Sequence, residues 1–242
     1  MKRVLITGAS SGIGLRLALD YAADGWQVVA CGRNRDKLGQ ALAGTGCELC
    51  LFDVRDREQA RQALGELAPL DLVILNAGSC EYVDDAAAFD AALFARVIDA
   101  NLIGAANCLA PLLPRMSAGS RLALVSSSVT LLPLTRAEAY GASKAGLDYL
   151  ARSLAIDLAP RRIAVSLIRP GFVDTPLTRK NDFPMPGRVP VAEASLAIRR
   201  GLARGRAEIG FPSGFIWVLR LLSWLPRGLW ARLAPTATRK QS

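Results

Sequence analysis

The sequence predicts a three-layer α/β protein with a doubly wound parallel sheet of about seven strands and an apolar helical extension at its C-terminal end. Short apolar runs alternate with longer helical patterns, which is typical of parallel sheets. A glycine-rich turn joins the first apolar run to the first helical pattern. The 242 residues, of which 51% are hydrophobic, suffice for one large core. We therefore expect one domain over residues 1–210 and the extension over residues 211–242.

The first strand leads into a turn that predicts nucleotide binding. Residues 3–7 form a short apolar run, and apolar residues then recur at helical spacing up to Gly25. Between them, small residues let the backbone approach a pyrophosphate, whose charge is favoured by the N-terminus of the helix. The turn residues that we assign to the cofactor are Gly8, Ser10, Ser11, Gly12, Ile13 and Gly14. Their place between a strand and a helix predicts a dinucleotide site.

The second strand, over residues 27–31, predicts which dinucleotide is bound. An NAD site usually places a carboxylate at the end of this strand to hold the adenosine ribose hydroxyls. Here Gly32 takes that place, and Arg33 and Asn34 follow it. Because a guanidinium can pair with a 2′-phosphate, we expect NADP(H) in preference to NAD(H). The alternative is that Arg33 is merely an exposed loop residue.

Two more strand–helix units complete the first half of the chain. A helix over residues 35–43 precedes a strand over 47–52, and a helix over 56–67 precedes a strand over 71–75. A carboxylate after the third strand can accept a hydrogen bond from the adenine amino group. Small residues after the fourth strand let the chain pass close to the adenosine. The residues assigned to the cofactor at these two strand ends are Asp53, Val54, Asn76, Ala77 and Gly78.

Two side chains in the second half carry the predicted chemistry. Tyr140 and Lys144 are four residues apart, so on a helix they share a face. A nearby ammonium lowers the pKa of a phenol from its usual value near 10. Such a tyrosine can exchange a proton with an alcohol or a carbonyl oxygen. For the pair alone, the alternative is two side chains on a solvated helix face.

Two other polar residues are placed to join this pair. Asn101 falls inside a helical pattern over residues 89–113, where asparagine has poor propensity. That conflict suggests a function, although a packed polar residue is the ordinary alternative. The fifth strand, over 121–125, ends in three serines, and Ser127 stands thirteen residues before Tyr140. The strand end and the helix face can therefore meet, where the serine could hydrogen-bond a carbonyl oxygen.

In order and spacing, these motifs resemble those of the short-chain dehydrogenase/reductase family over residues 2–178. The resemblance implies a Rossmann-type fold and NAD(P)-dependent carbonyl reduction or alcohol oxidation. Leu75 stands where the family often has an asparagine, and Ser126 or Ser128 could replace Ser127 if the strand end is bulged. The motifs that carry the resemblance are Thr7-Gly8, Gly12-Ile13-Gly14, Asn76-Ala77-Gly78, Asn101, Ser127, Tyr140, Lys144 and Pro170-Gly171.

The resemblance also implies a role for each of these residues. Tyr140 would be the general acid in reduction and the base in oxidation. Lys144 would hold the nicotinamide ribose and lower the pKa of Tyr140, and Ser127 would polarise the carbonyl. Asn101 would hold a water that links Lys144 to solvent. The helices that carry Asn101 and Tyr140 would pair copies into a homodimer or homotetramer. The nicotinamide carboxamide would be contacted by Pro170, Gly171, Val173 and Thr175.

The sequence of the C-terminal third gives more information about binding partners than about the fold. After a sixth strand over residues 162–168, the irregular stretch 177–190 reads as a substrate lid, followed by a helix over 191–203 and a strand over 206–210. The apolar run 215–225 is about half the ~20 residues of a membrane span. It suits a helix in a membrane interface or, as we slightly prefer, one that covers the substrate pocket or a neighbouring subunit. Residues 239–242 are predicted to be disordered.

Charge and cysteine usage restrict the remaining classes. The net charge is +9, and residues 161–242 hold 15 basic and 4 acidic residues. This suggests contact with an acidic acyl-carrier protein, coenzyme A phosphates or an anionic membrane, or a solubilising surface. Binding of nucleic acid is not favoured, because the sequence contains no basic helix with interleaved aromatic residues. Five scattered cysteines without histidine predict neither disulfides nor a metal site. The chain enters a strand at once, which predicts no signal peptide and a cytoplasmic protein, with a peripheral location at the inner membrane face as the alternative.

The sequence therefore predicts an NADP(H)-dependent oxidoreductase that interconverts a carbonyl and a secondary alcohol of a small hydrophobic or acyl-type molecule. One alternative is a reductase of 3-oxoacyl thioesters on an acidic carrier. An alternative from another class is a non-catalytic dinucleotide sensor or a membrane-docked scaffold. Turnover of NADPH with a panel of ketones and aldehydes separates the enzyme from the sensor.

Overall fold

The computed structural model describes residues 1–238 and contains one seven-stranded sheet in which all pairings are parallel. The spatial order is β3-β2-β1-β4-β5-β6-β7, so the direction of winding reverses between β1 and β4. Ligands of such sheets bind at this reversal, outside the carboxyl ends of the strands. The predicted fold class is confirmed. The strands are β1 Arg3–Thr7, β2 Gln27–Gly32, β3 Glu48–Leu51, β4 Leu70–Leu75, β5 Met116–Val125, β6 Ala164–Pro170 and β7 Glu208–Phe211.

Helices cover both faces of the sheet and form two cores. Successive side chains of a strand point to opposite faces, so the central strands are apolar on both sides. One core packs against the first, second and seventh helices, and the other against the third, fifth and sixth. The helices are α1 Gly12–Ala23, α2 Arg35–Ala41, α3 Arg57–Leu64, α4 Ala91–Ile98, α5 Gly104–Leu112, α6 Glu138–Leu158, α7 Val191–Ala203, α8 Ser213–Leu222 and α9 Arg227–Thr238.

The single helix predicted over residues 89–113 is interrupted. A π-helical segment, Asp99–Ile103, separates α4 from α5 and contains Asn101. A Cβ atom at Gly104 would lie 2.8 Å from the Val54 side chain, so glycine is what lets α5 pack against the loop that follows β3. By length and composition alone Ala91–Arg115 could cross a membrane, but its residues Cys108, Leu109 and Leu112 pack in the core.

The predicted extension forms two helices that pack on the domain. Ile216 and Leu219 of α8 are buried, and Phe215 contacts Phe172 with ring centroids 5.7 Å apart. The indole N–H of Trp230 in α9 donates to the carbonyl of Pro133 at 2.7 Å. The tail predicted to be disordered, 239–242, lies outside the described residues.

Candidate active site

A cleft of about 540 Å³ lies at the carboxyl edge of the sheet, beside a smaller chamber of about 110 Å³. The cleft is bordered by the ends of β1 to β4, and the chamber by the ends of β5 and β6 and by α6. The two spaces share part of their lining, so they adjoin as one cavity. The shared residues are Ile13, Asn76, Gly78, Ser79, Thr175 and Leu177.

The glycine-rich turn has the geometry of a pyrophosphate site. Gly8 and Gly12 have φ of +69° and +56°, a region that favours glycine. A Cβ atom at Gly14 would lie 2.4 Å from the Gly8 carbonyl oxygen, so a side chain cannot fit there. Ser11 precedes α1 without making a side-chain capping bond among the described residues, which leaves the first helical N–H groups available to an anion. A dinucleotide pyrophosphate fits this lining.

Threonine and asparagine side chains hold the neighbouring strand end in place. The hydroxyl of Thr7 accepts from the backbone N–H of Asn76 at 2.9 Å and of Ala77 at 3.0 Å. The side-chain amide of Asn76 donates to the Thr7 carbonyl at 3.0 Å. The ends of β1 and β4 are thereby tied together where the winding reverses, and Gly78 follows in the floor of the cleft.

The predicted adenosine end of the cleft is rich in cations. Nη1 of Arg33, whose side chain is 70% exposed, lies 3.6 Å from the Asp53 carboxylate. Arg55 pairs with the same carboxylate at 2.6 Å, and its hydrogen bonds lower the pKa of Asp53 to about 2. Lys37 also lines this end, and the Asn34 side chain caps α2 by accepting from its N–H. Val54 borders the same space. The carboxylate predicted to meet adenine is therefore engaged by two arginines.

The tyrosine, lysine and serine predicted from the sequence meet at the small chamber. Lys144 Nζ lies 5.8 Å from the Tyr140 ring centroid and donates to the Val125 carbonyl at 2.8 Å. Burial lowers the pKa of Lys144 to about 8, although the negative charge of Asp148 acts to raise it. These contacts place an ammonium group beside a phenol inside the protein.

The pKa of Tyr140 departs from the sequence prediction. Burial raises this pKa above its usual range, and a hydrogen bond with Ser127 acts in the opposite direction. In the chain without its dinucleotide, burial thus opposes the lowering predicted from Lys144, because desolvation disfavours the phenolate. The effect of Lys144 together with an oxidised nicotinamide stays a prediction.

The asparagine in the π-helical segment connects three parts of the site. The Asn101 carbonyl oxygen accepts from the Ser79 N–H at 2.7 Å, and its amide donates to the Ser79 carbonyl at 2.9 Å and to Ser143 Oγ at 2.8 Å. Ser143 in turn donates to the Tyr140 carbonyl at 2.7 Å. A Cβ atom at Gly78 would lie 2.8 Å from the Asn101 oxygen and 3.4 Å from Lys144 Nζ. Asn101 thus fixes the cleft floor to α6, and its water-holding role stays a prediction.

The three serines after β5 have different surroundings. Ser126 is buried and its hydroxyl donates to the Asp148 carboxylate. Ser128 is buried at the start of a short 3-10 turn. Ser127 borders the chamber and hydrogen-bonds with Tyr140. Ser126 also borders the chamber, but its hydroxyl is engaged by Asp148, so the surroundings favour Ser127 as the serine of the predicted role, which stays a prediction.

A buried ion pair beneath Lys144 was not predicted from the sequence. Arg169 Nη2 lies 2.8 Å from the Asp148 carboxylate, and both side chains are almost completely buried. Arg169 Nη1 also donates to Glu208 at 2.7 Å. No local pattern signals this pair, since its two residues are 21 positions apart and lie on α6 and β6.

The residues predicted to contact the nicotinamide form the far wall of the chamber. Pro170, Gly171, Val173 and Thr175 all border it. A Cβ atom at Gly12 would lie 3.1 Å from the Thr175 methyl, so Thr175 faces the glycine turn across the cavity.

Aromatic rings stand next to this wall and were also missed. Phe172 packs against Phe215 at 5.7 Å and against Phe183 at 6.1 Å between centroids. Tyr82 meets Phe183 edge to face at 5.5 Å, and its hydroxyl donates to the Asn181 side chain at 2.8 Å. The segment predicted as a lid therefore contributes an apolar surface beside the chamber.

Comparisons with known proteins agree with these observations. A family model described as short chain dehydrogenase matches residues 2–184. An uncharacterized oxidoreductase of Myxococcus xanthus (strain DK1622) is 37% identical over 240 residues, covering 94% of this chain and 94% of the relative. The 3-oxoacyl-(acyl-carrier-protein) reductase of Aggregatibacter actinomycetemcomitans is 32% identical over 230 residues, covering 88% of this chain and 90% of the relative. A crystal structure of a short chain dehydrogenase from Burkholderia cenocepacia J2315 in complex with NADP has a TM-score of 0.84 at 24% identity, covering 96% of this chain and 99% of that chain.

Proposed function

The chain belongs to the short-chain dehydrogenase/reductase family, and we propose that it is an NADP(H)-dependent oxidoreductase acting on a carbonyl or a secondary alcohol. The observation that carries this proposal is the convergence of Ser127, Tyr140 and Lys144 on one chamber that opens into the glycine-lined cleft. Consumption of NADPH with a panel of soluble ketones and aldehydes tests it. Binding of NADPH without turnover of any carbonyl would favour the dinucleotide sensor instead.

Three polar side chains of the chamber have separate tasks in the proposed reaction. When bound, the nicotinamide supplies or accepts the hydride and, when oxidised, adds a positive charge that favours the phenolate. Tyr140 Oη donates a proton to the carbonyl oxygen in reduction and removes it from the alcohol in oxidation. Lys144, four residues on, stabilises the phenolate through its ammonium group. Ser127 holds the carbonyl oxygen through its hydroxyl, which polarises the bond.

The preference for NADP(H) is proposed from the cations at the adenosine end. Arg33, Lys37 and Arg55 border this part of the cleft, where a 2′-phosphate would add negative charge. Arg33→Asp should therefore lower the ratio of kcat/KM with NADPH to kcat/KM with NADH by about tenfold or more, since charge-assisted bonds contribute roughly 1.5–3 kcal/mol. Arg35→Asp, on the exposed start of α2, is the matched control. An unchanged ratio in Arg33→Asp would refute the assignment.

The serine assignment gives a second prediction. Ser127→Ala should lower kcat for reduction by about 100-fold or more, because a hydrogen-bond donor to the developing oxyanion is lost. Ser128→Ala removes a hydroxyl from the next position, and we expect turnover close to that of the parent. Steady-state kinetics with NADPH on both variants decide the matter. A larger loss of kcat in Ser128→Ala than in Ser127→Ala would assign the contact with the carbonyl oxygen to Ser128 instead.

The ionisation of Lys144 predicts a pH dependence. Since burial lowers its pKa to about 8, the ammonium is present below that pH and is lost above it. We expect kcat/KM for reduction, which reports groups of the free enzyme, to fall above about pH 8. Lys144→Arg keeps its charge, so any residual activity of that variant should lack this fall. A profile of the parent that stays flat through this region would contradict the prediction.

The substrate is proposed to be hydrophobic or acyl-type. Support comes from the ring cluster of Phe172, Phe183 and Phe215 beside the chamber. A second candidate function is reduction of 3-oxoacyl thioesters, which the relative from Aggregatibacter and the 15 basic residues after residue 160 favour. A comparison of the free thioester with the carrier-bound thioester tests this, because an acidic carrier should lower KM only if the basic surface receives it.

Location and assembly stay predictions. A cytoplasmic protein is proposed from the sequence, and a homodimer or homotetramer from the family resemblance. Exposed apolar side chains on the helices concerned, namely Ile103, Tyr149 and Ile156, support pairing through this face.

A further inference from the structure

Helix α8 has two apolar faces, of which only one packs on the protein. Ile216 and Leu219 point inward and are buried. Other apolar residues of α8 and of the turn after it face outward, and the two tryptophans among these are 62% and 83% exposed. The exposed residues, here called the C-terminal patch, are Trp217, Val218, Leu221 and Trp224. Helical spacing places the first three on one side of α8, and Trp224 follows in the next turn.

The charge around the patch restricts what can cover it. Arg220, Arg227 and Arg232 lie within or after α8, and the sequence contains no Asp or Glu after Glu208, whose carboxylate pairs with Arg220. A second copy docking through the same patch would bring these arginines together without a carboxylate from either extension. An anionic partner is complementary. Large exposed indole and leucine side chains flanked by arginine are the composition of helices that lie in a lipid interface.

We propose that the C-terminal patch docks on an anionic lipid bilayer. Tryptophan and leucine side chains enter the interfacial region, and the exposed Arg227 and Arg232 contact lipid phosphates. The proposal deepens the proposed function and rests on it in one respect, the substrate. Phe215, on the other side of α8, touches Gly171 and Phe172 at the wall of the chamber. Docking therefore sets the chamber close to the bilayer, which favours a lipophilic carbonyl compound as substrate.

Vesicle co-sedimentation of the full chain tests the docking. The parent should bind vesicles of phosphatidylcholine and phosphatidylglycerol, bind pure phosphatidylcholine weakly, and dissociate as salt is raised. Trp217→Ser/Trp224→Ser should lower the partition coefficient on anionic vesicles by about tenfold or more, because two indole side chains no longer insert. Leu196→Ser, an exposed apolar side chain on α7, is the control and should bind like the parent. Turnover of a water-soluble ketone by the double variant should stay near the parental rate.

Each other outcome overturns the proposal. Equal partitioning of the parent and the double variant, or no binding by the parent, removes the patch as a membrane site. A change of oligomeric state in the double variant without vesicle binding by the parent assigns the patch to a second copy. Capture of an acidic acyl-carrier protein in place of vesicles assigns it to that class. Because soluble ketone turnover is measured in parallel, loss of docking is distinguished from loss of the proposed enzyme activity.

Discussion

Tyr140→Phe is expected to lower kcat for carbonyl reduction by about 10²–10⁴-fold, the usual contribution of a positioned acid. The substitution removes only the hydroxyl, which is the group that passes the proton to the carbonyl oxygen. The cleft that would hold the dinucleotide is lined chiefly by other residues, so the affinity for NADPH should change little. The loss should therefore be seen in kcat, with the dissociation constant of NADPH nearly unchanged.

The measurement is NADPH oxidation followed by absorbance, with NADPH binding titrated separately. Tyr149→Phe provides a matched control, because it removes the same hydroxyl from an exposed position on the same helix. We expect this control to turn over like the parent. Parental turnover in Tyr140→Phe would disprove the proposed proton transfer, whatever the state of the other residues.

The second large effect concerns stability. Asp148→Ala is expected to lower the free energy of unfolding by about 3–5 kcal/mol, because it removes the buried carboxylate that pairs with the Arg169 guanidinium and leaves this charge to the partly exposed Glu208. Asp157→Ala, at an exposed position on the same helix, is the control and should cost far less. Urea unfolding of the parent and both variants gives the values. A loss below ~1 kcal/mol, as for an exposed pair, would mean that the carboxylate does not stabilise the fold.

Two further measurements separate this ion pair from simple packing. Asp148→Leu/Arg169→Met replaces both charges with apolar groups and should be less destabilised than Asp148→Ala. The charge of Asp148 also raises the pKa of Lys144. In an Asp148→Asn variant, the fall of kcat/KM at high pH should therefore move to lower pH. A structural role alone would not shift that profile.

The sheet could be predicted because its strands are buried on both faces. Each central strand then appears as an uninterrupted apolar run between turn residues, and this pattern is local. That Tyr140 and Lys144 share one face of a helix could be predicted equally well, since it follows from helical spacing alone. The strand ends were less certain: β6 begins at Ala164 rather than at Arg162, which takes a left-handed conformation with φ of +56°.

What could not be predicted depends on contacts between distant segments. The pairing of Asp148 with Arg169 joins a helix to a strand, and neither position reveals the other. The π-helical segment around Asn101 was seen only as a conflict of propensity. The sign of the Tyr140 pKa depends on how far the fold excludes water from the ring, which neighbouring residues in the sequence do not determine.

The ion pairs of the Glu208 carboxylate limit how far the C-terminal end of this chain can be shortened. It lies 2.7 Å from Arg169 of β6, 3.2 Å from Arg220 of α8 and 3.5 Å from Arg152 of α6. A cut directly after β7 would keep this acid but discard one of its three cations, together with the phenyl ring that covers Gly171. A trimmed version meant for crystallisation or surface display should therefore keep α8, although family motifs recognised in the sequence stop well before it.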